Sequence, residues 1–406
     1  MRAKRKKIKL VSLITVVFTL YTVLADMVVG NGFSMSNICL LLLMTMSIIS
    51  ILLSKLITIS IYEKLLLLIG CIGLCSTIIS VFYYNLSFPF EYWFHLVGMY
   101  IIICFYRKKL FKARVYWNLT YFLGLILGVI IFLQEIQLNL LGSFITFTPN
   151  AQLDRVAAVY SEPAHYILFQ STIIISSLLE VDCLEISENK RILYSAIISL
   201  SIVISSSSTG IVYLAFIWCG WLLYSKKLSK KFIFIIIGTI LIVIFYTQGD
   251  WLKFSIEHFK DMDFRRVTSG SFRLARGFAV YGKINIFQKI IGIGSGVTKD
   301  VIKRNGIITL YDGLENIGSD YVSTLSAILL DTGIIGFAVF IVLICSFIIR
   351  CDKKGRFLVG MYLLYIVSNE IIYTPQLIIP LFLILENIRQ VNENYIKGND
   401  KNVKVC

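Results

Sequence analysis

The chain has 406 residues, 57% of them hydrophobic and only 16% charged, with a mean hydropathy of +0.80. That balance excludes a soluble protein folded around one large core and points to an all-α polytopic membrane protein. The net charge of +15 would suit nucleic acid if it lay on one surface, but it is split into short patches between apolar runs.

Those patches are Arg2 to Lys9, Arg107 to Arg114, Lys226 to Lys231, Arg350 to Arg356 and the tail from Arg389. They have the pattern of cytoplasmic loops, so membrane lipid is an expected partner and nucleic acid is not. Nine cysteines fall in apolar spans or in expected cytoplasmic segments, which predicts neither disulfides nor a zinc site.

In chain order, apolar stretches predict twelve transmembrane helices near 10–29, 37–54, 64–84, 91–106, 115–136, 162–180, 192–207, 209–225, 232–248, 319–349, 356–374 and 376–388. The first is too long for a signal-peptide core and lacks a small-residue cleavage pattern, so it reads as a retained helix. With the N-terminus inside, every basic patch falls in the cytoplasm, and so do both termini.

Residues 1–406 form a single integral domain with one large extracytoplasmic loop, about 249–318. Within it, Trp251, Phe254, Phe259 and Met262 share one side of an interfacial helix, and 271–291 reads as a helix ending at Gly292. No internal repeat is present.

The chemistry-bearing residues gather at the outer ends of these spans. Arg155 precedes span six, whose entry reads Tyr160-Ser161-Glu162-Pro163-Ala164-His165. Ionisable groups at a membrane edge are costly to desolvate and are functional candidates. Pro163 fits a first helical turn, so Glu162 reads either as a capping acid or as a general base for an acceptor hydroxyl. His165, one turn deeper on the same face, is the second candidate base, against a plain structural histidine.

In the loop, Arg273 and Arg276 share a helix face. Together with Arg155, their guanidinium groups suit a diphosphate, against the bland reading of a solvated basic helix. Arg265 and Arg266 are weaker candidates for the same role. Ser205 to Ser208, then Thr209-Gly210, mark a hairpin between spans seven and eight, with Ser208 as a supporting residue.

Gly292-Ile293-Gly294-Ser295-Gly296 lacks the lysine and the strand–helix context of a nucleotide loop and reads as a flexible turn. Asp320 and Asp331 lie on one stripe entering span ten. An aspartate inside an apolar helix needs a partner or a wet cavity. Asp26, His95 and Glu370 sit toward the outer ends of spans one, four and eleven. No metal-ligand spacing and no cofactor motif appear.

Four of these motifs occur in an order that resembles the O-antigen polymerase and ligase superfamily, the Wzy-type polymerases of bacterial surface polysaccharide. They are Arg155…Ser161-Glu162-Pro163-Ala164-His165; Ser207-Ser208-Thr209-Gly210; Ser271-Phe272-Arg273…Gly292-Ile293-Gly294; and Asp320-Tyr321…Asp331-Thr332-Gly333-Ile334-Ile335-Gly336. The resemblance covers about residues 150–340.

The resemblance implies a metal-independent glycosyltransferase of the bacterial cytoplasmic membrane, with its active site on the extracytoplasmic side. Its substrates would be undecaprenyl-diphosphate-linked glycans, joined into capsule, O-antigen or exopolysaccharide. A flippase and a chain-length regulator are the partners it implies. Ligases of the superfamily carry a His before the helix that follows the large loop. Here that stretch reads Glu315-Asn316-Ile317-Gly318-Ser319-Asp320, which favours polymerase over ligase. The readings set against it are a ligase-like glycan transferase and a lipid-linked oligosaccharide flippase or transporter.

Overall fold

The computed structural model describes residues 2–27, 34–53, 59–111, 114–137, 156–160, 162–182, 184–205, 207–224, 269–309, 322–369 and 375–403. These are all-helical, with no strand among them. In order the helices are α1 (Arg2–Val23), α2 (Met35–Leu53), α3 (Ile61–Tyr84), α4 (Phe90–Phe111), α5 (Arg114–Ile136), α6 (Pro163–Leu178), α7 (Glu188–Ile204) and α8 (Ser208–Tyr224). Then follow α9 (Ser269–Lys283), α10 (Ile286–Ile291), α11 (Thr298–Arg304), α12 (Thr324–Arg350), α13 (Lys353–Ser368), a 3-10 turn (Pro375–Leu377) and α14 (Ile378–Val403).

Helices overlap each expected apolar stretch except 232–248, which lies outside the described residues. Three of them, α3, α5 and α12, are long and apolar enough to cross a membrane.

Helix α6 is the axis of the main core: every residue from Tyr166 to Leu178 is buried. Several of its polar side chains find partners within the bundle. Tyr166 Oη donates to Ser201 Oγ (2.5 Å), Gln170 Nε2 donates to the Gly124 carbonyl (2.8 Å), and Ser171 Oγ pairs with Tyr365 Oη (2.8 Å). At one end of this axis Arg191 grips Asp182 through two hydrogen bonds, at 2.6 and 2.7 Å, and Lys354 Nζ donates to the Leu179 carbonyl. The hairpin between α7 and α8 is tight because Gly210 packs where a Cβ would come within 2.8 Å of Ile202.

The expected helix over 271–291 is split in two. Asn285 and Gln288 form a capping box that starts α10 afresh, and Gly292 ends it. Together α9, α10 and α11 bury a second, smaller core that includes Val280, Ile284, Ile293, Val297 and Val301, closed by Val322 and Leu330.

This unit is fastened to the bundle through the glycine run. Helix α12 breaks at Gly333 (φ +62°), which frees the carbonyls of Leu330 and Asp331. Backbone N–H groups of Ile293 (2.7 Å) and Gly294 (3.0 Å) donate to them. In return, hydroxyls of α3 donate to the run's own carbonyls: Ser76 to Ile291, Ser80 to Ile293 and Thr77 to Ser295. The run is therefore a buried bracket, with Ile293 at 0% and Ser295 at 5% exposure, and not the flexible turn that its composition suggests.

Gly294 tests the bracket. It sits at φ +107°, and a Cβ there would lie 2.5 Å from the Thr77 backbone, whereas a Cβ on Gly282 would meet nothing within 4 Å. Left-handed strain and backbone overpacking together cost about 2–5 kcal/mol. Gly294→Ala is expected to lower the melting temperature of the detergent-solubilised protein by about 5 °C or more. Gly282→Ala is expected to leave it unchanged or raise it. Equal melting behaviour of the two variants would contradict the bracket.

Candidate functional site

Helix ends from six elements meet at the end of α6 opposite Asp182. The chain enters α6 through Ala158, which holds a left-handed conformation (φ +54°) that is rare for alanine. Gln134 of α5 clamps it there: its amide donates to the Ala158 carbonyl (3.0 Å) and accepts from the Ala158 N–H (2.9 Å). Tyr160, next in line, is 1% exposed and donates to the Thr22 carbonyl at 3.5 Å. Gln376 donates to the same carbonyl at 2.9 Å, which ties the last turn of α1 to the 3-10 turn before α14.

Glu162 is the N-cap residue of α6, with Pro163 following, as the sequence suggests. Its side chain makes no capping hydrogen bond. Instead, Oε2 lies 3.8 Å from Nη2 of Arg273, an ion pair beyond direct hydrogen-bond range. The Glu162 carboxylate is 36% exposed and the Arg273 side chain only 6%.

Arg273 is buried by α12 and α13. Its Nη1 donates to the Ser368 carbonyl (3.3 Å), and the neighbouring Gly277 packs so closely that a Cβ would overlap Ser326. Arg276, one turn on, is 2% exposed. A solvated basic helix is thus excluded for both arginines. The last turn of α13 is held in place by Asn369, whose carbonyl accepts from the Thr324 N–H (2.6 Å) and hydroxyl (2.9 Å), and whose amide donates to Tyr213 Oη (2.7 Å).

His165 is partnered from an unexpected quarter. Its Nδ1 lies 2.8 Å from Oδ2 of Asp26, just past the end of α1, and both side chains are about 15% exposed. A carboxylate on Nδ1 fixes the ring's orientation and leaves Nε2 to face other groups. Asp26 had only a weak claim from sequence. The signal for it was an acid at the outer end of an apolar helix, and its partner lies 139 positions away.

Other candidates separate from this group. Asp331 is 4% exposed and belongs to the glycine bracket, where it accepts from Thr298 Oγ1 (2.7 Å) and Tyr92 Oη (3.3 Å). Two hydroxyls from other elements thus supply partners of the kind that a buried aspartate needs. His95 is buried in α4, edge-on to Phe94. Ser208 opens α8. Arg155, Ser161, Arg265, Arg266, Asp320 and Glu370 lie outside the described residues, as does the 251–262 interfacial stretch.

Among the described residues no three His, Cys, Asp or Glu side chains converge as a metal-ion site. No protein-family model matches this chain, and no curated protein matches it.

The site thus holds two acid–base pairs of opposite construction. One couples an exposed carboxylate to a deeply buried guanidinium, and the other couples an imidazole to a carboxylate at hydrogen-bond distance. A double-mutant cycle of Asp26→Asn and His165→Gln, read as thermal stability in detergent, is expected to give a coupling energy of about 1–3 kcal/mol. Simple additivity would mean that the two side chains do not interact in the folded protein.

Proposed function

We propose that the chain is a metal-independent glycosyltransferase, a polymerase that joins undecaprenyl-diphosphate-linked oligosaccharide repeat units into a surface polysaccharide at the outer face of the bacterial cytoplasmic membrane. The single observation that carries this reading is the meeting of Arg273 and Glu162, residues from two separate motifs, 3.8 Å apart beside the Asp26–His165 pair. The motif order and the multi-helix apolar build support it. In this reading the protein crosses twelve times with both termini inside, so this end of the bundle faces outward with the 249–318 loop.

The chemistry asks for two things. The acceptor sugar's hydroxyl oxygen attacks the anomeric carbon of the growing chain, and its proton must go to a base. The bond from that carbon to the diphosphate oxygen breaks, and the lipid diphosphate leaves with an additional negative charge. Guanidinium groups stabilise that charge without a metal. Arg273 takes this role, with Arg276 in support and Arg155 as a further cation from the loop before α6.

For the base, the geometry favours His165 over Glu162, the reverse of the order that sequence alone suggests. Glu162 already faces the buried Arg273 at 3.8 Å, so its carboxylate is engaged with that cation. An imidazole backed by Asp26 can accept a proton through Nε2 and keep the positive charge beside a carboxylate. Glu162 then gates Arg273, screening its charge until a diphosphate arrives.

Deleting the gene and separating lipid-linked intermediates tests the function itself. Single repeat units accumulating without long polymer support it. Intermediates trapped on the cytoplasmic leaflet would instead indicate a flippase, a reading to which the polar ladder along α6 lends some structure. For the roles, Arg273→Ala is expected to abolish polymer while the protein still inserts. His165→Gln should lower the polymerisation rate by about 10²–10⁴-fold. Glu162→Gln should retain activity within about tenfold. Full activity of His165→Gln together with an inactive Glu162→Gln would restore Glu162 as the base.

A further inference from the structure

We propose that the groove between the last turns of α3 and helix α10 is a binding site for an anionic phospholipid of the leaflet at this end of the bundle. The groove is about 320 Å³ and is lined by Ile79, Tyr83, Tyr84, Ile286, Phe287 and Gln288 among others. Its place along α3 fixes what it meets. A helix of 24 residues rises about 36 Å, more than the roughly 30 Å of a hydrocarbon core. The final turn of α3 therefore reaches headgroup level. Phe82 (82% exposed) and Tyr83 (77%) stand there as interfacial aromatics do, beside Ile286 (78%) on α10.

The polar end of the groove is built and basic. Tyr84 Oη accepts from Gln288 Nε2 (2.8 Å) and from Asn305 Nδ2 (3.0 Å). Arg304 donates to the backbone carbonyls of Tyr84 and Asn85, so its guanidinium sits at the groove's mouth. Lys289 follows Gln288 and donates to the Gly282 carbonyl (2.8 Å), and Lys283 donates to the Ile308 carbonyl.

These three cations lean on main-chain oxygens, and among the described residues none of them pairs with an acid. The described residues 269–309 carry seven Lys and Arg against a single acid, Asp300. An apolar slot at headgroup depth with a cationic rim matches a lipid that has an acyl chain and a phosphate of net negative charge. A zwitterionic lipid would gain the slot but not the rim. The inference stands apart from the glycosyltransferase reading and holds equally for a transporter.

The full-length protein in neutral detergent is titrated with phosphatidylglycerol, with phosphatidylcholine and with inorganic phosphate, reading the midpoint of thermal unfolding. Phosphatidylglycerol is expected to stabilise at least tenfold lower concentration than phosphatidylcholine, and phosphate alone not to stabilise at all. Lys289→Gln combined with Arg304→Gln should erase most of that preference without moving the lipid-free midpoint. Lys190→Gln on α7, at the Asp182 end, should keep it.

Equal effects of the two lipids would reduce the groove to ordinary lipid contact and overturn the proposal. Stabilisation by phosphate alone would make it a free-anion site. Retention of the preference in the double variant would place the lipid elsewhere. Should the double variant unfold, Lys289→Gln and Arg304→Gln singly, each weakening the preference several-fold, decide the matter.

Discussion

The whole arrangement depends on one constraint: a backbone polar group inside an apolar bundle must find a partner. Helix α12 violates its own ladder at Gly333 and so exposes the carbonyls of Leu330 and Asp331. Water is not at hand in such surroundings, and each unmet group costs about 1–3 kcal/mol or more. The glycine run after α10 supplies the missing N–H groups, and three hydroxyls on α3 then satisfy the run's own carbonyls. Five hydrogen bonds thus close a local circuit among three elements. Because α9 and α10 share a core with the run, that circuit also fixes where Arg273 and Arg276 project.

A second constraint acts at the site. A guanidinium as buried as Arg273 is tolerated only with compensating oxygen atoms nearby. Glu162 and the Ser368 carbonyl provide them. The pair is long, at 3.8 Å, and its carboxylate side is wet, so the attraction is weaker than in a tight bidentate bridge. Asp182 and Arg191, at the other end of α6, show the contrast: two short hydrogen bonds, almost no exposure, and no room for a competing anion. An arginine and a carboxylate thus build a tight, buried clamp at one end and a longer, half-open pair at the other.

The helical build was legible because apolar length and punctuation are local. Pro163 marks the start of α6, Ser60 with Glu63 caps α3, and Gly292 stops α10. Even the split of 271–291 was written in the sequence, in Asn285 and Gln288 three apart, but the continuous apolar pattern masked it. What was not legible is non-local. The burial of Arg273 and Arg276 depends on α12 and α13 lying over α9. Thr298 and Tyr92, which donate to Asp331, come from two other segments. The Asp26–His165 contact joins the end of one helix to the start of another across the chain, where no spacing rule applies.

The unit formed by α9, α10 and α11 faces two ways at once. Its inner face carries Arg273 and Arg276 against the bundle, and its outer rim carries Lys283, Lys289 and Arg304 beside the apolar groove. Both faces are set by the same small core and the same bracket to α12. Any ligand that prefers one position of this unit must shift the other face with it, since linkage between two sites on one rigid piece is reciprocal. A lipid seated in the groove would therefore hold the arginines in their present place, and an anion bound by Arg273 would hold the groove. The strength of that coupling is bounded by how firmly the bracket grips: a rigid bracket leaves little for either ligand to change. Charge burial and membrane contact thus meet in one element, whose position rests on hydrogen bonds made where a helix was forced to break.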